Sequence, residues 1–110
     1  MLNKKVAIYI PGTIDINKKI SLAEHEKYVE KIAGIFSDCF GGASTQSICG
    51  FWKAKGGELV KENNTIVYAF CDKRRLYRNR NRILKLAEAM RNELSQEYIS
   101  VEINNRLLFV

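Results

Sequence analysis

Histidine, proline and tryptophan each occur once in the 110 residues, cysteine occurs three times, and no apolar run approaches the length of a membrane span. A bilayer-crossing helix needs about 20 apolar residues, so a membrane role is not expected. The opening Met1–Gly12 has a charged stub followed by an apolar stretch, which superficially resembles a signal peptide; the stretch is too short and lacks a small-residue cleavage site. Cys39, Cys49 and Cys71 are widely and irregularly spaced, with no Cys-x-x-Cys pair and no Cys/His cluster around His25. Zinc and dithiol redox chemistry are therefore not expected, and neither is a metal or cofactor. Free thiols without a disulfide framework fit a reducing compartment, and the expected location is the cytoplasm. There are no repeats, linkers or low-complexity tracts, so residues 1–110 read as a single domain. Gly12-Thr13 and Gly41-Gly42 match neither the dinucleotide fingerprint nor the phosphate-binding loop, and both read as turn glycines.

What is present is a globular pattern, with 46% hydrophobic residues. Residues 5–10 alternate as a β-strand and stop at Pro11-Gly12, and a polar loop follows over Thr13–Lys19. Ser21-Leu22-Ala23-Glu24 is a capping box. Leu22, His25, Val29, Ile32, Ala33, Phe36 and Phe40 then recur at the spacing of one helical face, ended by Gly41-Gly42. Two β-runs, Ser44–Lys53 and Glu58–Cys71, flank the hairpin signal Ala54-Lys55-Gly56-Gly57, with a bulge or kink expected at Asn63-Asn64. Asp72 reads as the N-cap of a second helix whose stripe is Leu76, Ile83, Ala87, Met90 and Leu94. Tyr98–Ile103 alternates again, and Asn104-Asn105 turns into a short strand at Arg106–Val110. The order β-α-β-β-α-β predicts an α+β, ferredoxin-like sandwich. Its sheet would be four-stranded and antiparallel with two helices on one face, plus a short extra C-terminal strand.

The segment Asp72–Arg82 concentrates the charge: six basic residues against one acid, which accounts for five of the six net positive charges. Lys73, Arg74, Arg75, Tyr77, Arg78, Arg80 and Arg82 are the candidate binding residues. The guanidinium fork matches phosphate oxygens, and Tyr77 offers a stacking face among the cations. Cations in the first turn of a helix oppose its dipole, by about 0.3–1 kcal/mol each, so the run is not explained by local helix stability. His25 reads as a partly buried, hydrogen-bonded histidine. Asp15, Glu58 and Glu62 are the acids considered for acid–base work, and nothing in the sequence fixes their separation. Phe51, Trp52 and Tyr68 read as core, dimer interface or a stacking platform.

Several stretches together resemble a family of small ferredoxin-like proteins, without an assigned activity, of bacteria, archaea, phages and mobile elements. They are Lys5-Val6-Ala7-Ile8-Tyr9-Ile10-Pro11, Phe40-Gly41-Gly42-Ala43-Ser44, Gly50-Phe51-Trp52, Glu62 with Ile66-Val67-Tyr68-Ala69-Phe70, and Gln96-Glu97 before Val101-Glu102-Ile103-Asn104. The resemblance implies the fold and a mobile-element setting, and it transfers no catalytic residues. The size and element order are also similar to those of the small nuclease subunit of CRISPR adaptation. That family carries an aspartate at the end of its first strand, where this chain has Tyr9-Ile10-Pro11-Gly12.

The expected function is a non-enzymatic, basic binding protein, a phage or mobile-element inhibitor of host defence that acts by occupancy. Its expected partner is anionic, a nucleotide signal, a nucleic acid or an acidic protein surface, or else the nucleic-acid channel of a defence enzyme. The chain is expected to form a homodimer. The alternatives are a small nuclease or nucleotide hydrolase using Asp15 with Glu62 or His25, and a homodimeric protein–protein adaptor joined through an open sheet face.

Overall fold

Val6, Ile8 and Ile10 alternate with Lys5, Ala7 and Tyr9, and this two-residue period makes β1 (Lys4–Ile10) the middle strand of a sheet. The computed structural model describes residues 2–14 and 18–110. After β1 come two short strands, β2 (Thr13–Ile14) and β3 (Lys18–Lys19), which pair with each other where the sequence reads as loop alone. Helix α1 (Leu22–Phe40), strands β4 (Ser44–Lys53) and β5 (Leu59–Cys71), helix α2 (Lys73–Glu93), and strands β6 (Ser100–Ile103) and β7 (Arg106–Phe109) complete the order.

The main sheet is antiparallel throughout, in the order β4-β5-β1-β6-β7. It has five strands rather than the expected four, because the extra C-terminal strand, β7, pairs with β6 over its whole length and so joins the sheet. Asn104 and Asn105 both take positive φ, 52° and 67°, in the turn that joins them. A two-residue hairpin with this backbone matches the natural twist of the strands it connects.

The local signals act as written. Ser21 Oγ accepts from the Glu24 N–H at 3.1 Å, and Asp72 Oδ1 accepts from the Arg75 N–H at 2.8 Å. Gly41 ends α1 at φ 85° with its N–H on the Ser37 carbonyl at 2.8 Å. Val29, Ile32, Phe36 and Phe40 of α1 meet Ile83, Ala87 and Met90 of α2 over Val6, Ile8, Val67, Ala69 and Val101. Register places those strand residues on one face, so both helices cover that face. Leu22, counted on the helical stripe, is instead 89% exposed at the first helical position. The expected kink at Asn63-Asn64 is absent: Cys49↔Asn63 and Ile48↔Asn64 continue the ladder unbroken.

Phe51 and Trp52 do not enter the core, and with Tyr68 they form no shared stacking platform. Tyr68 stands opposite Ser44 at one end of the β4–β5 ladder, whereas Trp52 stands opposite Val60 near the other. Phe51 and Trp52, being consecutive, point to opposite faces of the hairpin. Tyr68 instead packs edge-on with Phe70, with Lys5 Nζ 5.4 Å from its ring centre. Among the described residues, no helix is long and apolar enough to cross a membrane.

Candidate functional site

β1 pairs with β5 only from Thr65 to Cys71, so the β4–β5 hairpin runs on past the end of β1. The chain leaving β1 passes beneath this overhang at Pro11–Thr13, and two contiguous hollows open on either side of it. Gly12 is required there: a Cβ at this position would collide with the Asn63 carbonyl oxygen. Its N–H donates to Asn64 Oδ1 at 3.1 Å, so one of the two asparagines read as a kink fastens the hairpin to the crossing chain.

The larger hollow, about 850 Å³, is walled by Tyr9, Trp52 and Tyr98, with Glu62 and Gln96 among its polar groups and Lys19 and Lys61 also lining it. Its polar centre is a chain of hydrogen bonds between distant parts of the sequence. Gln96 Nε2 donates to the Thr13 carbonyl at 2.9 Å, and Thr13 Oγ1 donates to Glu62 Oε1 at 3.0 Å. One carboxylate oxygen of Glu62 is thus engaged by Thr13, and the side chain is half-buried at the wall of the cleft. Aromatic walls with a few convergent polar groups are the usual makeup of a small-molecule site.

The second hollow, about 820 Å³, lies on the α1 side and is lined by His25, Ser47, Cys49 and Thr65. His25 Nδ1 is 3.2 Å from the Pro11 carbonyl and Nε2 is 2.8 Å from Thr65 Oγ1. A carbonyl only accepts, so Nδ1 carries a proton and, in the neutral ring, Nε2 accepts from the threonine hydroxyl. Both ring nitrogens are engaged within the protein, in keeping with the hydrogen-bonded reading of this residue. Of the acids weighed from the sequence, Glu58 is exposed at the hairpin tip and Asp15 lies outside the described residues. No three His, Cys, Asp or Glu side chains cluster at metal-binding distance among the described residues. Cys39 and Cys71 are buried as expected of core thiols, while Cys49 is exposed on the hairpin. Burial pushes the Cys71 thiol pKa up, aided by the neighbouring Asp72 charge and opposed by Arg75.

The arginine run divides into two groups. Helix α1 has no basic residue in its last turn, and α2 supplies what it lacks. Arg75 Nη1 donates to the Phe40 carbonyl at 3.0 Å and Asn79 Nδ2 to the Cys39 carbonyl at 3.2 Å. Arg82 Nη1 lies 3.5 Å from Cys39 Sγ. Arg75 and Asn79 satisfy carbonyls left open at a helix end, and Arg75 and Arg82 bring positive charge to its negative pole. Lys73, Arg74, Tyr77, Arg78 and Arg80 are exposed, and none of them makes an ion pair or side-chain hydrogen bond among the described residues. None of the seven lines the cleft.

The cleft residues Tyr9, Glu62 and Gln96 carry no local motif. Glu62 stands among the acids weighed from the sequence, with no partner to fix its place, and Tyr9 and Gln96 are touched only by the family resemblance.

No family model matches the chain, and no curated protein matches it by sequence. Among solved structures, it is similar to a phage SAM lyase in complex with S-methyl-5′-thioadenosine, with a TM-score of 0.66, 17% identity, and coverage of 97% of this chain and 88% of that one. A phage SAM lyase in the apo state gives a TM-score of 0.58 at 16% identity, covering 96% and 84%. At these identities the likeness concerns the fold.

Proposed function

We propose that the cleft beneath the β4–β5 overhang binds an adenosine-type small molecule of the S-adenosylmethionine class and cleaves it. The bond from sulfur to the aminobutyrate chain breaks, its electron pair staying on sulfur as methylthioadenosine, while that chain's own α-carboxylate closes on the same carbon to leave a lactone. The observation that carries this reading is Glu62, held by the Thr13 hydroxyl, with Gln96 fastening the Thr13 carbonyl, in a cleft walled by Tyr9, Trp52 and Tyr98. A flat nucleobase gains about 1–3 kcal/mol from stacking on an aromatic ring. A sulfonium centre is a cation, which aromatic faces and a carboxylate both attract. Lys19 and Lys61 offer charge to the ligand's α-carboxylate. The fold likeness to a phage protein that holds methylthioadenosine points to the same ligand class.

In this reading the ligand is a nucleoside derivative, and the anionic partner expected from the charge belongs to α2, away from the cleft. Inhibition of host defence, in the cytoplasm of an infected cell, would then work through a small molecule. The homodimer is proposed on the open sheet face, where Phe70 is half exposed beside Tyr68.

The test is to isolate the protein by size exclusion with light scattering, incubate it with S-adenosylmethionine, and follow methylthioadenosine by liquid chromatography. Thioether product, lost at least ten-fold in Glu62→Gln with the circular dichroism spectrum unchanged, is the expected result. Saturable binding without product would replace cleavage by occupancy, and absence of both would remove the reading. A monomer mass in the scattering would remove the homodimer.

A further inference from the structure

We infer that the outward face of α2, formed by Arg74, Tyr77, Arg78, Asn81 and Lys85, is a docking surface for single-stranded nucleic acid. At 3.6 residues per turn these five positions fall within an arc of roughly 100°, turned away from Ile83, Ala87 and Met90. Arg75 and Arg82 point to the other flank and are occupied on α1, so they are not part of this face. Arg74 and Arg78, one turn apart, rise about 6 Å along the helix and are exposed, with no acid paired to either among the described residues. Lys85 continues the stripe, and Glu88 on the following turn ends it.

Tyr77 chooses the occupant. Along the helix axis it lies between the two arginines, at the edge of the arc about 60° round from Arg74, and it is 87% exposed. It therefore buries almost nothing, so the fold gives no reason for a large aromatic there. An acidic protein surface would be served by the cations alone. An aromatic ring set among arginines is the arrangement that takes an unpaired base on its face and phosphates on its flanks. A duplex hides its base faces, which makes the single strand the fitting partner. RNA and DNA share this chemistry.

The experiment is fluorescence anisotropy of the full chain against labelled oligothymidine and oligouridine of about 20 nucleotides, across a salt series. Three cations on the backbone predict a slope of about −2 in log K against log salt. Arg74→Ala with Arg78→Ala should flatten that slope by about 1.4. Tyr77→Phe should bind as the parent does, while Tyr77→Ala should weaken binding about ten-fold at every salt concentration. Thermal melts guard the comparison, since none of these side chains supports the fold. Preference for one sugar identifies the source. Three results each overturn the inference: no binding at low salt, binding indifferent to Tyr77, or equal competition by polyglutamate. Equal competition by polyglutamate would make the face a site for acidic protein instead, and indifference to Tyr77 would make it a face read by charge alone. Glu62→Gln, in the cleft, should leave oligonucleotide binding unchanged, so the two proposals stand or fall separately.

Discussion

Arg74 and Arg75 are neighbours of identical chemistry in the first turn of α2, and alanine at each should move stability in opposite directions. Arg75→Ala removes a guanidinium donor from the Phe40 carbonyl at the end of α1. A hydrogen bond from a charged donor contributes about 1.5–3 kcal/mol, and the exposure of Arg75 argues for the lower end. Loss of a cation at the pole of α1 adds about 0.3–1 kcal/mol, and relief of the same charge at the start of α2 takes off about as much. The net is about 1.5 kcal/mol. At about 4 °C per kcal/mol for a domain of this size, the midpoint of thermal unfolding should fall by about 6 °C. Arg74→Ala retains only the relief term, so its midpoint should stay or rise by about 2 °C. Differential scanning calorimetry on the two variants decides the matter. Equal shifts of the same sign would mean that the run acts as undifferentiated charge and that the contact to Phe40 carries no stability.

Cys49 should react with a disulfide reagent in the native protein, whereas Cys39 and Cys71 should react only on unfolding, because both are buried. Fast modification of more than one thiol would contradict the packing. Tyr28 donates to Glu93 Oε2 at 2.9 Å, and burial, followed by that bond, raises its pKa above the usual 10. A raised pKa means the neutral phenol is favoured in the fold. Its stabilisation is therefore complete below pH 10 and is lost as pH rises through the folded value, and Tyr28→Phe should abolish that alkaline component in pH-dependent melts.

Much of the fold is written in local chemistry. Ser21, Asp72, Gly41 and Asn104-Asn105 each act within three or four residues, and the helical stripes at Val29–Phe40 and Ile83–Met90 encode which face is buried. Long-range pairings are not written this way. Thr13 and Glu62 are 49 residues apart, and Gln96 donates to the carbonyl of a residue 83 positions earlier. Nothing about a threonine or glutamine in its own neighbourhood announces such a partner. The arginines fail as a signal for a different reason. Composition adds their charges together, while the helix sends residues a single position apart to different flanks, so Arg75 serves α1 and Arg74 does not. Asn63-Asn64 misleads similarly. Polar residues in a strand suggest a broken ladder, yet here the side chain of Asn64 reaches across to the Gly12 N–H and the ladder stays whole.

One feature of the cleft does follow from lengths alone. β5 has 13 residues and β1 has seven, so a residue-for-residue pairing leaves the first six of β5, Leu59–Asn64, beyond the end of β1. β4 accompanies that overhang from Ile48 to Lys53 but cannot cover its faces, since strands in one sheet meet edge to edge. The helices end their cover with the core at Ile10 and Val67. Something must therefore fill the corner where long and short strands part, and among the described residues the chain supplies the crossing at Pro11–Thr13, Lys19 and the loop at Ser95–Ile99. The space those segments leave open is the cleft. A deletion that shortened the hairpin by two paired residues on each arm, Phe51 and Trp52 with Val60 and Lys61, would remove Trp52 from its wall while sparing every pair that β5 makes with β1. On this argument the shortened protein keeps its fold and loses its ligand, because the sheet and the site draw on different stretches of the same strand.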